Sequence, residues 1–251
     1  MTRPRAPRRD VGGGYARVVA TTADWSARLR SLAPAAWPAA VEADSGLPGP
    51  RANLALVEAC ARSADAAAIA ALLESGGEFA TMCAAAAIAR HAGDPAQAER
   101  ARTLAADDRW RVREGVVIGL QYWGDAAPAE FRELATQWVA SPDPLVQRAA
   151  VAAVCEPRLL REREAASAAL AVCAAATASL AELPAARRRD SDVRTLRQAL
   201  GYGWSVAIAA DPGDGLPLFD ALDVTDPDIA WIVRENLRKK RLQAVRATPA
   251  P

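Results

Sequence analysis

The chain has 251 residues, with 31 basic against 30 acidic side chains and a formal net charge of +1. That length supports one large domain or two small ones with a substantial core, and the near-zero balance provides no overall field for a polyanion, so any contact with nucleic acid must come from local patches. Cys60, Cys83, Cys155 and Cys173 stand singly, as small buried residues of a reducing cytoplasm do, and His91 is the one histidine, so neither a Cys–His metal cluster nor a Ser–His–Asp triad is expected, and no cofactor.

Alanine, leucine and arginine dominate and favour helix, and no stretch alternates with period two for long enough to make a strand. The opening Met1-Thr2-Arg3-Pro4-Arg5-Ala6-Pro7-Arg8-Arg9 is basic and broken by proline. It is neither a signal peptide nor a membrane span, and a disordered tail is expected over 1–14. Two helices are predicted between Tyr15 and Ala43, split around Pro34 and Pro38, then a loop from Asp44 to Pro50. Short helices follow over Asn53–Arg62, Asp65–Glu74 with Asp65 as cap, Glu78–His91, and Pro95–Ala106 with Asp94 as cap and Pro95 in the first turn. His91, near a helix end before Gly93, suits the negative end of the dipole. A helix from Asp107 to Asp125 has an Asp pair to cap its start and Gly124 as a left-handed stop. Pro128–Val139, Asp143–Cys155, Arg161–Leu183, Ser191–Ala210 and Ile229–Val245 complete the series, with a tail over 246–251.

A degenerate repeat runs through the second half. Asp108…Arg113 recurs as Asp143…Arg148, 35 residues on; Asp192…Arg197 keeps the offset of five, and Asp228…Arg234 has six. An acid before the helix, with an apolar residue and an arginine in its second turn, is the pattern of HEAT-type repeats. There the acid caps and the arginine can bridge to the next repeat. The later intervals of 49 and 37 residues straddle the usual range of about 40–47. The expected fold is all-α, a right-handed α-solenoid of antiparallel HEAT-like helical repeats over 15–245 whose concave surface binds a partner.

The 107–125 helix carries the candidate chemistry. Val112, Val116, Leu120 and Trp123 form one apolar stripe. Trp110 and Glu114, one turn apart, lie about 145° from its middle at roughly 100° per residue. Trp110-Arg111-Val112-Arg113-Glu114 resembles the Trp-x-x-x-Asp element of the bacterial HEAT-like-repeat DNA alkylpurine glycosylases, the AlkC/AlkD type. In that family an exposed Trp and a carboxylate sit beside the damaged nucleotide. Arg148 falls where the family directs an Arg toward DNA. Leu196-Arg197-Gln198-Ala199-Leu200-Gly201-Tyr202 resembles the helix with the second site Trp, with Tyr202 in its place and Trp204 two residues on; Trp231–Leu242 is similar to the last helix. The likeness covers roughly 78–242, with Glu for Asp at 114 and Tyr for Trp at 202.

The resemblance implies excision of an alkylated purine. The carboxylate would stabilise an oxocarbenium-like sugar and the aromatic faces the cationic base, with Trp110, Glu114 and Tyr202 as the catalytic group and no base flipping. Arg113, Arg148, Arg197 and Trp204 would meet DNA, with Arg234, Arg238 and Arg241 at i, i+4 and i+7 as a basic stripe on the last helix beside Lys239 and Lys240. Arg187, Arg188 and Arg189 with Arg194 and Arg197 form a second cluster. The residues read alone leave a second possibility: Trp110 and Glu114 as packing and pairing residues of a non-catalytic scaffold that binds a protein partner. A cytoplasmic monomer that binds duplex DNA is the expectation, and no membrane.

Overall fold

The structure, a computed structural model, describes residues 20–49 and 51–247, so the tail expected over 1–14 lies outside the described residues. Among the described residues every regular element is helical, with fourteen α-helices and three short 3-10 turns. The all-α expectation holds.

The first helices are α1 (Thr22–Arg30), α2 (Trp37–Ala43), α3 (Leu54–Ser63) and α4 (Ala66–Glu74). Pro34 starts a 3-10 turn and Pro38 lies in the first turn of α2, where a proline loses no helical bond. Asn53 and Asp65 cap α3 and α4 through their side chains. α5 (Glu78–Ala89) is buried at every position from Phe79 to Ala89, as an all-round apolar helix must be. α6 (Pro95–Ala105) starts on the Asp94 cap, which accepts from the Ala96 and Gln97 amides.

α7 (Trp110–Ala126) departs from expectation at both ends. Arg109 is its N-cap and no side chain caps it; Asp107 accepts instead from the Arg109 amide and guanidinium at 2.9 Å each. Gly124 is not a stop. It lies inside the helix, where Phe131 occupies the space of a side chain, 2.9 Å from a Cβ, so the glycine serves packing, and α7 ends just before Pro128.

Then follow α8 (Pro128–Val139), α9 (Pro144–Val154), α10 (Arg163–Glu182) and α11 (Ser191–Ala210). α12 (Pro212–Asp220) is an element that Pro212-Gly213-Asp214-Gly215 hides, since those residues usually mark a turn; Asp211 caps it. The single last helix expected over 229–245 is two, α13 (Pro227–Leu237) and α14 (Lys240–Ala247). Arg246 and Ala247, expected in a tail, belong to α14, and Arg246 pairs with Asp220.

The odd-numbered helices from α1 to α13 contact one another in chain order, and α6, α8 and α10 each pack against the odd pair that they connect. The tightest seam joins α5 to α7. A Cβ on Gly115 or Gly119 would come within 2.3 Å of the carbonyl oxygens of Met82 and Ala86, so the two backbones meet at glycine. α10 has the length and apolarity of a membrane span, and half of that window is buried inside the fold against its neighbours.

Candidate functional site

α7 presents two faces. Val112, Val116, Leu120 and Trp123 are buried in the core, as the stripe predicts. The other face carries Trp110, which is 52% exposed, then Glu114, Val117, Ile118 and Gln121 at helical spacing. These border a groove of about 720 Å³ that reaches from α5 across α7 and α9 to α11. Arg148 of α9 and Tyr202 of α11 line the same groove, so four of the residues singled out in the sequence share one surface.

Glu114 and Arg148 form an ion pair across α7 and α9, with both side chains mostly buried. The guanidinium uses Nη2 for this contact, and its Nη1 is buried with no acceptor among the described residues. Arg113 stands next to the pair and donates through Nη1 to the carbonyls of Asp107 and Asp108 at 2.6 and 2.9 Å. Burial first, then the neighbouring Arg148 charge, push its guanidinium below the ordinary value. Arg111 lies 4.5 Å over the Trp110 ring and pairs with Glu78 of α5 at 3.0 Å.

Tyr202, 45% exposed, is held by α14. Arg241 donates to its hydroxyl at 2.8 Å and covers its ring at 4.7 Å, with Lys239 at 6.0 Å. The groove thus has an aromatic ring on α7 and another on α11, with the ion pair of α7 and α9 and an apolar lining from Met82, Val117, Ile118 and Val151.

Several expected contacts lie elsewhere. Trp204 is fully buried; its Nε1 donates to Thr177 at 3.0 Å and its ring packs on Phe219. It continues the core stripe of Leu196, Leu200 and Ile208, and two residues are about 200° of helical turn, so Trp204 and Tyr202 cannot share a face. Arg197 is bound to Asp228 of α13 and stacked on Trp231 at 4.9 Å, outside the groove. Arg188 pairs with Asp226 and Asp228, and Arg187 with Asp190 and Asp192. The break between α13 and α14 dissolves the stripe of Arg234, Arg238 and Arg241: Arg238 pairs with Glu235 at 2.7 Å, Arg241 turns to Tyr202, and Arg234 is exposed with no ion pair among the described residues.

Sequence reasoning missed Arg51, Arg111 and Gln121 in the groove lining. Arg111 had a usable signal, since Glu78 and Arg111 repeat, in neighbouring helices, the acid–arginine separation of Glu114 and Arg148 (33 and 34 residues). Arg51 follows the loop before α3 and had none.

No family model matches the chain, and no curated protein matches it. Among solved structures, the crystal structure of an engineered protein is similar at 19% identity, covering 84% of this chain and 92% of that chain with a TM-score of 0.34. That likeness is too loose to inform the fold or the site.

Proposed function

We propose that the chain is a right-handed α-solenoid of HEAT-like repeats, a divergent relative of the alkylation-repair glycosylases, and that its groove takes duplex DNA and excises alkylated purines. Chain-order contact among the odd helices supports the solenoid reading. The observation that carries the functional reading is the convergence of Trp110, Glu114, Arg148 and Tyr202 on one groove. In this reading Trp110 and Tyr202 offer aromatic faces to a cationic base. The bond between C1′ and the base breaks with its electron pair leaving on the base, which becomes neutral. Glu114 stabilises the sugar cation until water adds at C1′ and gives up a proton to solvent. Arg148, with Arg113 beside it, takes a phosphate.

A labelled duplex titrated across a salt series tests this by fluorescence anisotropy. Binding at low salt that falls steeply as salt rises, with a slope reduced by about one in Arg148→Ala, is expected. No binding at low salt, or binding indifferent to Arg148→Ala and Trp110→Ala, would overturn it. One observation favours a second reading, a scaffold for a protein partner: Arg187, Arg188 and Arg197 are engaged by the chain's own acids, and Leu54 at the groove is 58% exposed. Loss of duplex binding would leave that reading.

A further inference from the structure

The fold gathers the four cysteines into two pairs, and the chemistry proposed for the groove uses neither. Cys60 of α3 and Cys83 of α5 neighbour each other in the core, both fully buried and neither bordering the groove. Cys155 and Cys173 place their Sγ atoms 3.6 Å apart, both as free thiols. Cys155 is the residue on which α9 stops, with its backbone already outside the helix, and Cys173 lies in the middle of α10.

The second pair differs from the first in access. Cys155 is 6% exposed and borders the groove, whereas Cys173 is sealed behind it at 0%. Gly203 of α11, another groove residue, lies against both sulfurs: a Cβ there would approach Cys155 Sγ to 3.1 Å and Cys173 Sγ to 3.4 Å. Glycine therefore leaves the sulfurs room that any side chain would take. An opening this small admits a hydroperoxide and keeps out a peptide-sized disulfide. The hydrogen bond with Cys155, then burial, push the Cys173 thiol well above the ordinary value, so Cys173 is not the group that starts a reaction.

We propose that Cys155 and Cys173 are a dithiol oxidised by peroxide, in which Cys155 reacts through the groove and Cys173 closes a disulfide onto it. Cys155 Sγ attacks one oxygen of hydrogen peroxide: an S–O bond forms, the O–O bond breaks, and the thiol proton leaves with the other oxygen as water. Cys173 Sγ then attacks the sulfur of the Cys155 sulfenic acid. The S–S bond forms, the S–O bond breaks, and the hydroxyl departs with the Cys173 proton as a second water. Two thiols are oxidised and one peroxide is reduced to two waters. Closure needs the sulfurs, 3.6 Å apart, to approach by about 1.5 Å to reach bonding distance. Cys155, beyond the last turn of α9, supplies that movement without unwinding a helix. This inference is independent of what the groove binds.

The test treats the folded full chain with a slight excess of hydrogen peroxide, unfolds it in iodoacetamide, and maps the tryptic peptides by mass spectrometry. A linked pair of peptides carrying Cys155 and Cys173 is expected, returned to two free thiols by dithiothreitol, with Cys60 and Cys83 both alkylated. In Cys173→Ala the Cys155 sulfenic acid has no partner, and dimedone should label it. Four alkylated cysteines in the wild type after peroxide would overturn the proposal. So would oxidation of Cys60 and Cys83 as complete as that of the other pair, which would show that access through the groove selects nothing. A Cys173→Ala protein in which dimedone leaves Cys155 unlabelled would overturn it as well.

Discussion

The seam between α5 and α7 and the seam between α11 and α13 join neighbouring odd helices by different physics. In the first, Gly115 and Gly119 let the backbones touch through a largely apolar contact, with the Arg111–Glu78 ion pair as its one salt bridge among the described residues. In the second, polar groups stitch the helices. Buried Asn236 donates to the carbonyls of Leu200 and Ile232 at 2.9 and 2.8 Å and accepts from the Ser205 amide at 2.8 Å, while Arg197 and Arg188 reach Asp228 and Asp226. Apolar close approach tolerates changes of pH and salt but no added atom. A polar seam tolerates some change of shape but depends on ionisation. The groove lies over the first seam and ends at Tyr202, beside the second, so its two aromatic rings stand on supports of different sensitivity.

Gly119→Val breaks the comparison most severely. Its Cβ would meet the Ala86 backbone, which cannot move aside, and a loss of about 3 kcal/mol or more is expected by chemical denaturation. Asn236→Ala should cost about 2 kcal/mol, since buried backbone groups lose their partner, and the loss should persist at all pH values. Asp226→Asn is the smallest, about 1 kcal/mol, because Asp226 both caps α13 and pairs with Arg188.

Asp226 also sets a pH dependence. Burial raises its carboxyl, but the Arg188 hydrogen bond and the α13 amides outweigh burial and hold it below the ordinary value of 3.8. A carboxylate depressed in the folded state contributes stability in full above its unfolded pKa, and the contribution fades as pH falls from about 3.8 through the lower folded value. Acid titration of stability should therefore show this loss in the wild type and a smaller one in Asp226→Asn. Equal acid sensitivity would mean that Asp226 contributes nothing to the polar seam.

Much of this architecture was legible in the sequence where one period and one cap agreed. Asp65 and Asp94 fixed the starts of α4 and α6, and the stripe from Val112 to Trp123 gave the core face of α7 and with it the outward direction of Trp110 and Glu114. Failures came where tertiary contact overrode a local signal. Gly124 makes room for Phe131 inside a helix and does not end one, and Asp211 starts α12 in a stretch of turn residues. The arginines were the least legible. Sequence shows where positive charge is, but not that Asp226 and Asp228, from a different helix, take up Arg188 and Arg197. The break at Arg238–Lys239 likewise turns one apparent stripe into two unrelated contacts, of Arg238 with Glu235 and Arg241 with Tyr202, and an exposed Arg234.

The most direct measurement of what the groove does is the release of free alkylpurine from methylated duplex DNA by the wild type and by Glu114→Gln. The account predicts base release above the spontaneous rate in the wild type, lowered roughly a hundredfold in Glu114→Gln as for loss of one electrostatic stabiliser. Wild-type protein that releases no base above the spontaneous rate, or a Glu114→Gln protein as active as the wild type, would contradict it.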